Sequence, residues 1–179
     1  AVGCGVEQVA EAVVTGDGAD WIWNQAALHF PRATQVVDYW HASEHLWQLR
    51  RVLYPAASPA GDRWVHEHCR RLYRHGPNGL LRALARIKPA TPEQAEAVRR
   101  EQGYFSRHRH RMDYPGFRAR GLMVGSGPVE AACKLVVGQR LKGAGMRWCQ
   151  AGADAVLAVR CVLLNKQTDL LTKAANAAA

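Results

Sequence analysis

The sequence predicts a helix-dominated α/β chain, with about two parallel strands and six or more helices. Three observations lead there. Two short runs ending in β-branched residues, with a short helical stretch between them, occupy residues 9–39. From residue 40 onward the apolar period is helical. Pro and Gly then cut that long helical region into segments.

Residues 9–15 close on Val13-Val14-Thr15 and stop at Gly16-Asp17-Gly18. This reads as a buried strand running into a tight turn. Asp20 before Trp21-Ile22-Trp23 reads as an N-cap opening one short helix, which Pro31 ends. Residues 34–39 read as a second strand. A strand–helix–strand unit of about thirty residues makes its strands parallel. Residues 40–54 take a helical period, and residues 55–61 read as a loop. Residues 63–88 read as two helices split at Gly76-Pro77-Asn78-Gly79. Thr91 before Glu93 opens another helix, running to residue 111. Pro115 and Gly121 bound a loop. Ser126-Gly127-Pro128 opens a helix with Pro in its first turn, where a missing N–H costs little. Gly143 and Gly145 break it. Residues 151–171 read as a last helix, and residues 174–179 as a fraying alanine tail.

Composition bounds the function. Apolar residues make up 48% of the 179, enough for a real core. No apolar run approaches the ~18 residues of a membrane span, and no basic-then-apolar leader opens the chain. The cysteines (Cys4, Cys69, Cys133, Cys149, Cys161) are odd in number with no CxxC, which suits a reducing cytoplasm. The chain opens on Ala rather than Met, and two parallel strands make a poor sheet alone. Both suggest a piece of something longer. An unpaired edge and open apolar faces should then make the isolated chain unstable or prone to associate, as a homo-oligomer for instance.

The charge is local. Residues 63–120 hold 14 Lys or Arg against 5 Asp or Glu and carry the entire net +9. They also hold His66, His68, His75, His108 and His110. Arginine dominates, and its fork suits phosphate. Nucleic acid is the commonest polyanion partner. The plainer alternative is a solvated helical face. Arg70, Arg71, Arg107, Arg109 and Arg111 are the candidate phosphate contacts of this block.

Asp17 and Asp38 each follow a strand, at the edge where open α/β sheets bind ligands. Glu130 lies in the first turn of the helix after Pro128, where the helix dipole favours a carboxylate. Hard oxygen ligands on separate elements suit Mg²⁺ or Mn²⁺ with a phosphate completing the shell. Taken alone, Glu130 is better explained by ordinary dipole complementarity on an exposed turn. The combination of a strand-end Asp, a helix-start Glu and a basic helical block points to phosphoryl chemistry. Lys134, Arg140, Lys142, Arg147 and Trp148 are further candidates for contact with DNA beside Glu130.

Several strings together resemble one family. They are Gly16-Asp17-Gly18-Ala19-Asp20-Trp21-Ile22-Trp23, Phe30-Pro31, and Asp38-Tyr39-Trp40-His41-Ala42-Ser43-Glu44-His45-Leu46. Tyr104-Phe105, Arg111-Met112-Asp113-Tyr114, and Gly125-Ser126-Gly127-Pro128-Val129-Glu130-Ala131-Ala132-Cys133-Lys134 follow. Arg140-Leu141-Lys142-Gly143-Ala144-Gly145-Met146-Arg147-Trp148 completes the set. Taken in order across residues 13–165, they resemble bacterial insertion-sequence transposases of the Kra group. The resemblance implies a Mutator-related DDE transposase with an RNase H-like core. It implies that Asp17 matches the second catalytic Asp and Glu130 the catalytic Glu, both holding Mg²⁺ or Mn²⁺. Asp38 and His41 match a supporting D-x-x-H element. Residues 1–47 would then be a partial RNase H-like core, residues 48–120 the basic helical insertion, residues 121–165 the Glu-bearing helix and return to the core, and residues 166–179 a tail. The family's first Asp has no counterpart before Asp17, where the only acids are Glu7 and Glu11. The expectation is therefore the C-terminal part of a transposase, inactive by itself.

Two other functions compete. His41-Ala42-Ser43-Glu44-His45 fits the H-x-x-E-H zinc-peptidase pattern, with Glu96, Glu101 or Glu130 as a third ligand. A DNA-binding remnant without catalysis would use the basic block alone. His66, His68 and Cys69 form a further possible metal cluster, though surface histidines explain them as well. Most of Trp21, Trp23, Trp40, Trp47, Trp64 and Trp148 are expected to pack in the core or between helices.

Overall fold

The computed structural model describes residues 9–170 and Asn176. Cys4, Glu7 and, apart from Asn176, the expected alanine tail lie outside the described residues. The chain falls into two compact units, Ala1–Ser126 and Gly127–Ala179.

The first unit begins with the expected strand–helix–strand: β1 (Val13–Gly16), α1 (Asp20–His29) and β2 (Thr34–Val37). The strands are parallel, pairing Val13 with Thr34 through to Gly16 with Val37. The Asp38 N–H donates to the Gly16 carbonyl at 2.7 Å and ends the ladder. β2 is the inner strand, with Val36 and Val37 fully buried.

β1 is shorter and less buried than the sequence suggests. Residues 9–12 are not strand, Val9 is 53% exposed, and no residue of β1 is buried. The reason is that β1 has a single described neighbour, so its outer edge faces solvent. Gly16 belongs to the strand rather than the turn because Ile22 and Trp23 lie against it. A Cβ there would meet Ile22 Cγ2 at 3.0 Å.

Asp20 is not the N-cap of α1. Ala19 holds the extended cap position, and Asp20 is the first helical residue, where the dipole still favours its charge. The Asp17 carboxylate instead accepts the Ala19 N–H at 2.9 Å.

Five helices follow: α2 (Tyr39–Leu53), α3 (Pro59–His75), α4 (Pro77–Leu84), α5 (Pro92–Arg107) and α6 (Tyr114–Ala119). Each begins where sequence chemistry allows. Asp38, Ser58, Thr91 and Asp113 cap α2, α3, α5 and α6 through their side chains. The break between α3 and α4 falls at Gly76, with φ +71°.

Two expected loops are partly helix. α3 starts within residues 55–61, and the segment between Pro115 and Gly121 contains α6. Pro59 and Pro115 sit in first turns, where proline is tolerated, so neither is a breaker. The helix expected to reach residue 111 ends at Arg107 and continues as a 3₁₀ turn, Arg109–Arg111.

α2 packs against α3 and α5, and α4 bridges α3 and α5. Leu46, Leu49, Leu72, Leu80, Phe105 and Tyr114 are fully buried at that junction. The expected insertion thus shares one core with the strands.

The second unit holds α7 (Gly127–Cys133), a π-helical stretch (Lys134–Gly138), α8 (Gln139–Leu141) and α9 (Gln150–Leu164). No described residue in it is buried. Arg160 ties α9 back, donating to the Leu135 carbonyl at 2.7 Å and Gln139 Oε1 at 2.9 Å. Among the described residues, no helix is long and apolar enough to cross a membrane.

One buried cation organises the α2–α3 corner. Arg50, 4% exposed, donates to the carbonyls of Pro55, Ala56 and Ser58 at 3.0–3.2 Å and pairs with Asp62 at 2.9 Å. Gly61 is required there, since a Cβ would lie 2.8 Å from the Tyr54 side chain. Arg50→Ala strands three carbonyls and should cost about 3 kcal/mol in chemical denaturation. Asp62→Asn should cost below about 1 kcal/mol, because that carboxylate is half exposed. An Arg50→Ala variant as stable as the wild type would contradict this account.

Candidate functional site

The parallel register brings the two strand-end aspartates to one edge of the sheet: Asp17 directly follows the last residue of β1, and Asp38 the last of β2. Their environments differ. Asp38 is 1% exposed. Its Oδ1 accepts the N–H groups of Trp40 at 2.7 Å and His41 at 3.3 Å, and its Oδ2 accepts the Ser126 N–H. These hydrogen bonds all come from backbone N–H groups of its own unit, so Asp38 holds structure, and at 1% exposure it is far less accessible to a ligand than Asp17. Asp17 is exposed, and only its Oδ1 is engaged, by Ala19. As a hard oxygen donor on an open turn, Asp17 fits a divalent cation; Asp38 does not.

A stacked network holds the Asp17 turn from behind. Gly18 has φ +101°, and a Cβ on it would meet the Tyr104 ring and hydroxyl at 3.0 Å. Tyr104 donates its hydroxyl to the Asp17 carbonyl at 3.3 Å. The ring of His45 stacks on Tyr104 at 3.6 Å, and His45 Nδ1 lies 2.7 Å from Glu101 Oε2. Arg100 takes the other Glu101 oxygen at 2.8 Å. Burial, then the negative charge of Asp17, Glu101 and Asp38, pushes the Tyr104 hydroxyl well up, so it stays a donor. Burial also works to raise the Glu101 carboxyl, but the bonds from His45 and Arg100 outweigh it and hold Glu101 below the ordinary carboxylate value.

These pairs also define the H-x-x-E-H segment. His41 Nδ1 lies 3.1 Å from Glu44 on the exposed face of α2, while His45 points to buried Glu101. Each oxygen of Glu101 is hydrogen-bonded, one to His45 directly and one to Arg100, so His45 and Glu101 meet as a hydrogen-bonded pair. His66 packs edge-on to Trp47, and His68 stacks on Trp64 with Nδ1 2.7 Å from the Trp64 carbonyl. Burial pushes His68 below its ordinary value. Among the described residues, no three His, Cys, Asp or Glu side chains form a metal cage.

Glu130 lies exposed in the first turn of α7, in the second unit. Lys134, Arg140, Lys142, Arg147 and Trp148 are exposed in that unit too. In the first unit Arg70 and Arg109 are exposed, Arg71 pairs with Glu67 at 2.8 Å, and Arg107 faces Asp20 at 3.8 Å. Arg111 is half-buried, with its guanidinium 4.5 Å over the Trp23 ring. Trp21 and Trp40 are 68% and 65% exposed, against the expectation of packing residues. Trp40, with Tyr39, Tyr73, Val124 and Gly125, lines a cavity of about 340 Å³ next to Asp38.

Tyr104 is the site residue that motif reading did not connect with His45 and Glu101. Tyr104 and His45 stood inside the quoted strings, and Glu101 was one of three acids offered beside His45, but nothing local chooses among those acids or brings in Tyr104. Comparison of the chain with models of protein families, with curated proteins and with solved structures finds no match.

The same region sets a pH dependence. His108, 1% exposed, is pushed down to about 4, by burial first and then by Arg111 and Arg107. In the unfolded chain it protonates near 6.5. The unfolded chain therefore binds more protons as pH falls. The stability His108 contributes is complete above 6.5 and is lost as pH drops towards 4. Glu101, also depressed, acts in the same direction below 4.5. Denaturation against pH should show a loss of at most about 3 kcal/mol from His108 over that interval, flattened in His108→Gln. Equal stability at pH 7 and pH 5 in the wild type would contradict it.

Proposed function

We propose that this chain carries part of the catalytic domain of a DDE-type DNA transposase with an RNase H-like core. The activity in which it takes part is Mg²⁺- or Mn²⁺-dependent phosphodiester hydrolysis and strand transfer. One observation supports this reading above the others. Two parallel strands end side by side in an exposed Asp and a buried Asp, in the motif order of the Kra-group transposases.

In this reading Asp17 and Glu130 hold the metal, and Asp38 and His41 support the site. The bound ion supplies charge neutralisation for an in-line displacement at phosphorus. The chain's own residues do the rest. Gly18 and Tyr104 fix the turn that presents Asp17. Asp38 fixes the start of α2 and the segment leading to Gly127. Exposed cations, among them Arg70, Arg109, Lys134, Arg140, Lys142 and Arg147, neutralise DNA phosphates, with Trp148 against the DNA beside them.

The reading assigns two of the three carboxylates that such chemistry uses. Glu11, the acid nearest Asp17 on the N-terminal side, is engaged by Thr34 and Arg120 at the far end of the strands. The chain by itself is therefore expected to bind DNA without cleaving or joining it.

Duplex binding measured against salt should weaken steeply, with a log–log slope of about −0.9 for each phosphate contacted. Added Mg²⁺ should tighten binding of the wild type. That gain should vanish in Asp17→Asn and in Glu130→Gln and persist in Asp20→Asn. If Mg²⁺ weakens all four alike, as any salt does, the assignment fails. Mg²⁺-dependent nicking by the wild type that is lost in Glu130→Gln would overturn the expected inactivity.

A further inference from the structure

Near the other end of β2 lies an arginine with no carboxylate in ion-pair contact among the described residues. A cleft of about 520 Å³ opens there, lined by Thr34, Gln35, His110, Arg111, Phe117 and Arg120, with Ala33 at its edge. The Arg111 guanidinium is held rigidly, but only by neutral groups. Its Nε donates to Gln35 Oε1 at 2.7 Å, and its Nη1 lies 3.2 Å from His108 Nδ1. Its face lies 4.5 Å over the Trp23 ring. Among the described residues it makes no ion pair, and its Nη2 meets no protein acceptor.

The acids nearby make no direct contact with Arg111, although the charge of Asp20 acts on it from a distance. Glu11 is bound by Arg120 and Thr34, and Asp20 faces Arg107 at 3.8 Å. Arg109 adds further positive charge on the same 3₁₀ turn. Two histidines register that field. Burial, followed by the neighbouring arginines, holds both His108 and His110 below their ordinary value.

A half-buried guanidinium is normally met by a carboxylate, because desolvating an unpaired charge is costly. Here the guanidinium is pre-ordered and its Nη2 donors meet no protein acceptor among the described residues. A planar fork of this kind matches an oxyanion with two acceptor oxygens.

We propose that this cleft is a phosphate-binding site, in which Arg111 Nη2 donates to a tetrahedral oxyanion and His110 and Arg120 form the rim. The site lies at the opposite end of β2 from Asp17 and Asp38 and needs no metal. It therefore stands or falls separately from the carboxylate assignment. Free phosphate and a backbone phosphodiester share this chemistry.

The test titrates the full chain with inorganic phosphate at constant ionic strength and no divalent metal, following arginine Nε–H and histidine resonances. Saturable shifts at Arg111 and His110 are expected, absent with chloride. Arg111→Lys keeps the charge and removes the fork, and it should weaken phosphate binding by about tenfold. His110→Glu changes an exposed rim position and should abolish binding while leaving the melting temperature in place. That second variant guards against a folding defect in the first. Shifts that merely follow ionic strength, or wild-type affinity in both variants, would overturn the proposal. A short DNA duplex added to the phosphate-saturated chain separates the sources. Displacement of phosphate assigns the site to the DNA backbone, and co-existence assigns it to a free oxyanion.

Discussion

The Asp38 carboxylate accepts backbone N–H groups from two distant places, Trp40 and His41 at the start of α2 and Ser126 at the end of the first unit. A carboxylate this buried is tolerated when its oxygens are hydrogen-bonded, and here backbone N–H groups engage both. Two further bonds run beside it: Tyr39 N–H to the Val124 carbonyl at 2.8 Å, and the Tyr114 hydroxyl to the Val37 carbonyl at 3.0 Å. The end of β2, the start of α2, the segment before Gly127 and α6 therefore meet at one point. Asp17 stands next to that point because the β1–β2 ladder leaves it no other place. The result is a division of labour between two similar residues. One carboxylate is consumed by the fold, and its neighbour is left facing solvent on a turn.

The basic block divides in the same way. Charge counting treats every cation of residues 63–120 alike, but the structure does not. Arg111 lies on Trp23, Arg100 serves buried Glu101, and Arg71 and Arg107 have acidic partners. Arg63, Arg70, Arg74, Arg82, Arg86, Lys88 and Arg109 are exposed and make no ion pair among the described residues. In the first unit a polyanion would meet these cations and the Arg111 edge of its cleft. Composition alone thus overstates the charge available for binding, since part of it is neutralised within the fold.

Local chemistry made much of the fold legible. Thr91 before Pro92 marked the start of α5, Gly76-Pro77 marked the break between α3 and α4, and the β-branched runs with one short helix between them marked a parallel pair. What failed was also local, where one residue type serves two purposes. Asp20 has the composition of a cap, but Ala19 takes that position once Asp17 turns back to bind its N–H. Pro115 resembles a breaker until Asp113 caps the turn in which it sits. The run before Val13 looked like strand, yet β1 has one described neighbour and its outer edge is left in solvent. At the candidate site both strand-end aspartates were visible from pattern. Their opposite burial was not, because it depends on which distant N–H groups reach each one. Glu101 was one of three acids the H-x-x-E-H pattern offered beside His45; that it is Glu101, as a hydrogen-bond partner, is decided by the packing of α2 on α5.

The proposed function requires Asp17 and Glu130 to serve one divalent ion. Paramagnetic broadening by trace Mn²⁺, read across the amide spectrum of the full chain, tests this most directly. The account predicts that amides around Asp17 and Gly18 and those around Pro128–Glu130 in the first turn of α7 lose intensity together, at the same low Mn²⁺, and recover with a chelator. Broadening confined to one of the two groups, or scattered over surface carboxylates with neither preferred, would contradict it.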